Sequence, residues 1–309
     1  MKSIFNLERT INRKMNLQHS CFVLLLTIFG TCHCQTQNWP NLKMGYIYST
    51  WYGTGFIDHP RTIEDAKKEN WFQVDETADC KNAGNGKYIG FRYGPPKSEP
   101  TEITLIFGIN GFIVGKQSVV PKDKALADKY FKFSSNKMYN EDVINGVDVY
   151  VTTAYFVDPN IICDAGRPQE AFDKEGTGYA LFFQNGPTPD AIEAAPLTAK
   201  DAKKNEEWYG YGCVENMGEH WIKLDPNDKE PRCDEGFPAF LLFEHGGDRS
   251  LVGFVWSHVA WYTNFRNEHA RSIGFSYIFD TVPQCVNDLA KDPGMTSLHV
   301  YFKDYHQYC

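Results

Sequence analysis

The sequence predicts an α+β fold, mostly antiparallel β, built from two tandem βαβββ-like units and stabilised by disulfides. Three observations predict it. The two halves of the chain match in an ordered series, strand-like runs rich in β-branched and aromatic residues recur through both, and six cysteines follow a leader-like N-terminus.

The N-terminus comes first. Arg13 and Lys14 precede the apolar run Cys21–Gly30, and Thr31 to Gln35 follow with small residues. A basic start, a short apolar core and small residues before the cut make a secretory signal peptide, expected over residues 1–34 with cleavage after Cys34. Met15 offers an alternative start that would make the leader more compact. The run is too short to span a bilayer, which takes about 20 apolar residues, and no longer one follows. Loss of Lys2, Arg9, Arg13 and Lys14 with Glu8 moves the formal charge from −8 to −11. So acidic a chain is expected to bind neither nucleic acid nor an anionic membrane. Cys21, Cys32 and Cys34 leave with the leader, and an even set remains for an oxidising compartment: Cys80, Cys163, Cys213, Cys233, Cys285 and Cys309.

The first unit covers residues 35–176. Gly45-Tyr46 opens an aromatic strand, Tyr46 to Tyr52. Thr62 is placed as the N-cap of a helix with Glu64 and Asp65 in its first turn and lysines after them. Asp65-Ala-Lys-Lys68 leads to Trp71-Phe72 and then Cys80. Leu105–Phe107 and Val114–Gly115 form a hairpin about Asn110-Gly111, the strongest short-range hairpin signal. Val149–Phe156 is a further strand before Cys163.

The second unit, 177–309, repeats the order. Gly178-Tyr179 opens the strand Tyr179 to Gln184, and Thr198 caps a helix that contains Asp201-Ala-Lys-Lys204. Trp208-Tyr209 and Cys213 follow. A hairpin turns through Glu244–Asp248, Leu251–His258 reads as a strand, and Tyr277–Phe279 before Cys285 matches Tyr155-Phe156 before Cys163. Leu298–Phe302 is placed as a closing strand. Six cysteines allow fifteen pairings. The symmetry of this alignment favours Cys80–Cys163 and Cys213–Cys285, leaving Cys233–Cys309 to tie down the tail.

Chemistry is expected in the second unit. Of the mature histidines only His59 lies in the first; His220, His245, His258, His269, His299 and His306 lie in the second. His220, His258 and His299 fall on strands. If they converge, neutral imidazoles can bind a metal or one can act as a general base; otherwise they are separate, hydrogen-bonded core residues. His245 and His269 read as solvated. Asp225, Asp228, Glu230, Asp234 and Glu235 crowd the loop around Cys233, without the EF-hand order of calcium ligands. No nucleophile elbow, P-loop or dinucleotide fingerprint appears in its required context. Trp51, Trp71, Trp208, Trp221, Trp256 and Trp261 can line an apolar pocket for a small molecule or fill a core.

The doubled βαβββ order resembles the vicinal-oxygen-chelate superfamily, whose paired modules enclose an oxygen- or carbonyl-activating metal. The opening strands here contain no histidine, so no ligand residue carries over. Met217-Gly-Glu-His220-Trp221 resembles the MG-x-H-W stretch of a small group of secreted proteins. A leader, about three hundred residues and an acidic, aromatic-rich body are similar in general makeup to the secreted luciferases of marine worms, which implies an oxygen-using enzyme. Two classes of function follow. One is a secreted oxidoreductase acting with molecular oxygen on a small apolar or aromatic ligand, with His220, His258 or His299 as base. The other is a secreted, non-enzymatic ligand-binding or extracellular-matrix module.

Overall fold

The computed structural model describes residues 37–45, 56–75, 79–96, 103–228, 231–262, 268–270, 272–304 and 309. The expected leader, the expected strand Tyr46–Tyr52, Trp51 and His306 lie outside the described residues.

The chain enters through β1 (Lys43–Gly45) and β2 (Ile57–Asp58) and turns into helix α1 (Ile63–Lys68). Strands β3 (Phe72–Gln73), β4 (Phe91–Gly94), β5 (Ile103–Phe107), β6 (Ile113–Pro121), β7 (Asn140–Ile144) and β8 (Val147–Tyr155) follow. Helix α2 (Gln169–Glu175) then leads to β9 (Phe182–Gln184), β10 (Ile192–Ala194) and α3 (Ala199–Lys204). The remainder forms β11 (Tyr209–Val214), β12 (Gly218–Ile222), β13 (Ala239–Phe243), β14 (Leu251–His258) and β15 (Glu268–Ala270). Helices α4 (Ser272–Phe275) and α5 (Gln284–Lys291) precede the last strand, β16 (Met295–Tyr301).

The duplication is visible in local chemistry. Thr62 Oγ1 accepts the Asp65 N–H at 3.1 Å and donates to Asp65 Oδ2 at 2.8 Å. Thr198 and Asp201 repeat the same two bonds at the same lengths. Each cap satisfies an orphan N–H at a helix start. The expected hairpins form as β5–β6 and β13–β14, each with one register shift at the same place.

The strands build two antiparallel sheets. One runs β10-β9-β8-β6-β5-β4-β3 with β7 beside β8; the other runs β2-β1-β16-β14-β13-β12-β11 with β15 beside β16. Position by position the orders are the same, so the sheets are related by pseudo-twofold symmetry. The repeat boundary and the sheet boundary do not coincide. The opening strands of each half cross over: β1 pairs with β16 and β9 pairs with β8. Each sheet is therefore completed by the other half.

The sheets stack face to face. Phe107, Phe156 and Phe183 from one meet Phe254, Trp256 and Val300 from the other, and Trp39 stacks on Phe302 with centroids 4.0 Å apart. Both faces of β6 and β14 are covered; β14 accordingly reads as a near-continuous apolar run, whereas β6 buries Lys116, Gln117 and Ser118 at its centre. Gly115 and Gly253 occupy equivalent places where neighbouring strands press close. A Cβ at Gly253 would lie 2.2 Å from the Val300 carbonyl oxygen, and one at Gly115 would lie 2.6 Å from that of Ala154.

The disulfides are Cys80–Cys163, Cys213–Cys309 and Cys233–Cys285. The first is the expected one. The expected Cys213–Cys285 and Cys233–Cys309 are replaced, and the reason is an alignment shift. Tyr155-Phe156 at the end of β8 corresponds to Tyr301-Phe302 at the end of β16, not to Tyr277–Phe279. Tyr155 pairs with Gly115 and Tyr301 with Gly253. Cys163 therefore corresponds to Cys309. The symmetry holds, and Cys233–Cys285 is the added bridge, carried by α5 in a segment longer than its counterpart in the first half.

Candidate functional site

The three strand histidines do not form one site. His258, at the end of β14, faces the sandwich interior in the alternation of Phe254 and Trp256. Its Nε2 lies 2.8 Å from Ser118 Oγ of β6, and its Nδ1 lies 2.8 Å from the Tyr139 hydroxyl. A neutral imidazole offers one donor and one acceptor, so one hydroxyl donates to it and the other accepts. Burial pushes its pKa down to about 3. It thus acts as a neutral pin between the sheets, where the equivalent residue of the other sheet is Val120.

His220 and His299 project from the opposite, outer face of their sheet. Their rings meet edge to face with centroids 6.3 Å apart. Burial lowers both, to about 4 for His220, where the Gly218 and Gly212 carbonyls oppose the shift, and to about 3 for His299, where His220 adds to it. His220 Nδ1 lies 3.2 Å from the Gly218 carbonyl oxygen, to which it donates, which leaves Nε2 as the basic nitrogen. Their counterparts in the first sheet are Arg92 and Thr153. Arg92 is tied to Asp75 and Asp142, each at 2.7 Å, so one structural position carries a buried ion pair in one half and neutral imidazole in the other. Among the described residues no group of three His, Cys, Asp or Glu side chains is placed to hold a metal ion.

The tryptophans expected around a pocket mostly fill the core: Trp71, Trp208, Trp221 and Trp256 are buried between the sheets, while Trp261 is largely exposed. Two carboxylates of the acidic loop are held in ion pairs. Asp234 and Glu235 pair with Lys132 and Arg232, and the Arg232 hydrogen bonds hold Asp234 down at about 2.

The apolar cavity lies beside this loop. It occupies about 320 Å³ over the outer face of the second sheet, with Ile222 and Phe240 as floor and Phe275, Phe279, Val286 and Leu289 of the α4–α5 segment as walls. Cys233 lies at its edge, and its bond to Cys285 fastens the 231–238 loop to α5. Lys223, Asp225, Asp228 and Arg232 form a polar rim, and Ser257, hydrogen-bonded to Ser297 at 3.2 Å, supplies a hydroxyl inside. Sequence reasoning misses these walls, because it aligns Tyr277–Phe279 with Tyr155-Phe156 at the end of the Val149–Phe156 strand. The spacing of Val286, Leu289 and Ala290 in α5 was the available signal for a helix lying on an apolar surface. A second cleft, beside Glu219, His245 and Arg249, was also missed.

Among the described residues no helix is long and apolar enough to cross a membrane. No protein-family model, no curated protein and no solved structure matches the chain.

Proposed function

We propose that the chain is a secreted protein that holds a small apolar or aromatic molecule in the cavity beneath α4 and α5. The observation that carries this reading is the cavity itself: aliphatic and aromatic walls, one internal hydroxyl and a charged rim, at about 320 Å³. Ligand pockets fall in the range of about 300–1,000 Å³ with this kind of lining. The leader-like N-terminus and three disulfides support secretion. The test uses the secreted chain and anilinonaphthalene sulfonate as probe. One saturable site is expected, lost when Val286→Trp fills the cavity while cooperative unfolding is retained. Equal probe response in both proteins would discard the reading.

A second reading adds chemistry beside the cavity, on the same sheet face: an oxidoreductase using molecular oxygen, luciferase-like. The observation favouring it is that His220 and His299 share a sheet face with Ile222 and Phe240, the cavity floor. The burial that keeps these imidazoles neutral also weakens them as bases, so they would suit a ligand with an acidic C–H or O–H. Oxygen uptake or light on adding an extract of the source organism is the assay. His220→Gln and His299→Gln should abolish turnover while probe binding persists; undiminished turnover would sink the enzyme reading alone.

A further inference from the structure

We infer a second site, independent of the cavity: the cleft between β11, β12 and the β13–β14 hairpin binds a neutral saccharide. The cleft measures about 780 Å³; the half-buried Tyr209 and Tyr211 present aromatic surface to it, with the buried Trp208 and Trp221 at its base. Among its lining residues is Glu219, a carboxylate only 9 % exposed. His245 Nδ1 lies 3.1 Å from Glu219 Oε1, while Arg249 pairs with Oε2 and the Trp221 indole N–H donates to it at 3.4 Å.

The pseudo-symmetry argues that this cluster is not part of the scaffold. Glu219 stands where the first half has Phe91, Trp221 where it has Tyr93, and Arg249 where it has Gly111. The hairpin loop Glu244–Ser250 is two residues longer than Gly108–Phe112, and the longer loop contains His245. Gly111 has φ +79°, the left-handed region that glycine tolerates, and Arg249 keeps that region at φ +51° despite its side chain. A strained arginine in place of glycine, aimed at a carboxylate that is itself costly to bury, is unfavourable for stability and is the pattern of a retained site.

The charges select the ligand. Lys203 and Arg249 face Glu206 and Glu219, two cations against two anions around one cleft. An anionic ligand would meet the carboxylates, a cationic one the lysine and arginine, and an apolar one would strip water from all four. An uncharged polyol avoids each penalty. Its C–H face can lie on a tyrosine ring, and adjacent hydroxyls match the paired acceptors of a carboxylate and the paired donors of a guanidinium.

The test is tryptophan fluorescence and saturation-transfer NMR of the secreted chain with cellobiose, maltose, lactose and diacetylchitobiose. At least one should bind saturably, with Arg249→Gly weakening it about tenfold or more, a difference of about 1.4 kcal/mol. Arg249→Gly restores the residue found at the equivalent turn but strips Glu219 of its guanidinium partner. Arg249→Gly/Glu219→Gln, which removes both charges together, is therefore the variant expected to stay folded, and cooperative unfolding is checked for each. Glu219→Gln tests the acceptor separately. If none of the four sugars binds, or if Arg249→Gly and Glu219→Gln both bind as the parent does, the inference is overturned. Probe binding in the apolar cavity is expected to be unaffected by either substitution.

Discussion

At the scale of single residues, the buried histidines make the fold acid-sensitive. His220, His258 and His299 stay neutral in the folded chain down to about pH 4, 3 and 3, whereas in the unfolded chain they take up a proton near pH 6.5. Because the folded pKa is depressed, their contribution is complete above about pH 6.5 and is lost as pH falls towards 4 and then 3. Each histidine should cost about 1.4 kcal/mol per pH unit across its window. Urea unfolding between pH 7 and 4.5 checks this. His258→Gln, which can keep one of the two inter-sheet hydrogen bonds, should lower stability at pH 7 yet flatten the pH dependence. A slope equal to that of the parent would show that His258 is not buried neutral. The sequence pointed to these three residues because each falls on a strand. It did not reveal that His258 faces away from the other two, since that depends on which face of β14 meets the second sheet.

At the scale of elements, the two close strand crossings set the tolerance of the sheets. Gly253→Ala places a methyl group against the Val300 carbonyl and should cost about 3 kcal/mol, at the upper end of the usual cost of overpacking. Gly115→Ala should be somewhat milder, and Gly274→Ala, whose Cβ would meet nothing within 4 Å, should be neutral. Denaturant midpoints of the three variants provide the comparison; equal loss in all three would remove the crowding argument. These elements differ in how well the sequence reported them. The caps Thr62 and Thr198 and the Asn110-Gly111 turn are local signals, and local chemistry decided them. The strand exchange and the true partner of Tyr155-Phe156 are decided by pairing across most of the chain, and aromatic doublets near cysteines offered two alignments of equal appearance. The Cys213–Cys285 expectation failed for that reason alone.

At the scale of the whole molecule, the halves are interlocked without a disulfide between them. Cys80–Cys163 lies within 35–176, while Cys213–Cys309 and Cys233–Cys285 lie within 177–309. Expressed separately, each half lacks the strands that extend its sheet beyond β8 or β16. Neither should unfold cooperatively alone, and mixing them should restore one cooperative 1:1 complex; a half that folds by itself would contradict the exchange. The same pairing also governs how the protein is made. Met44 waits for Val300, so the second sheet cannot close until nearly the whole chain has been synthesised. At about 5–20 residues per second that delay is on the order of tens of seconds, during which β1 has β2 beside it but lacks its β16 partner. The N-terminal sheet can assemble as soon as β9 and β10 emerge, and its disulfide can form first. Maturation should therefore run from one sheet to the other, with the β1–β16 pairing the last to be secured.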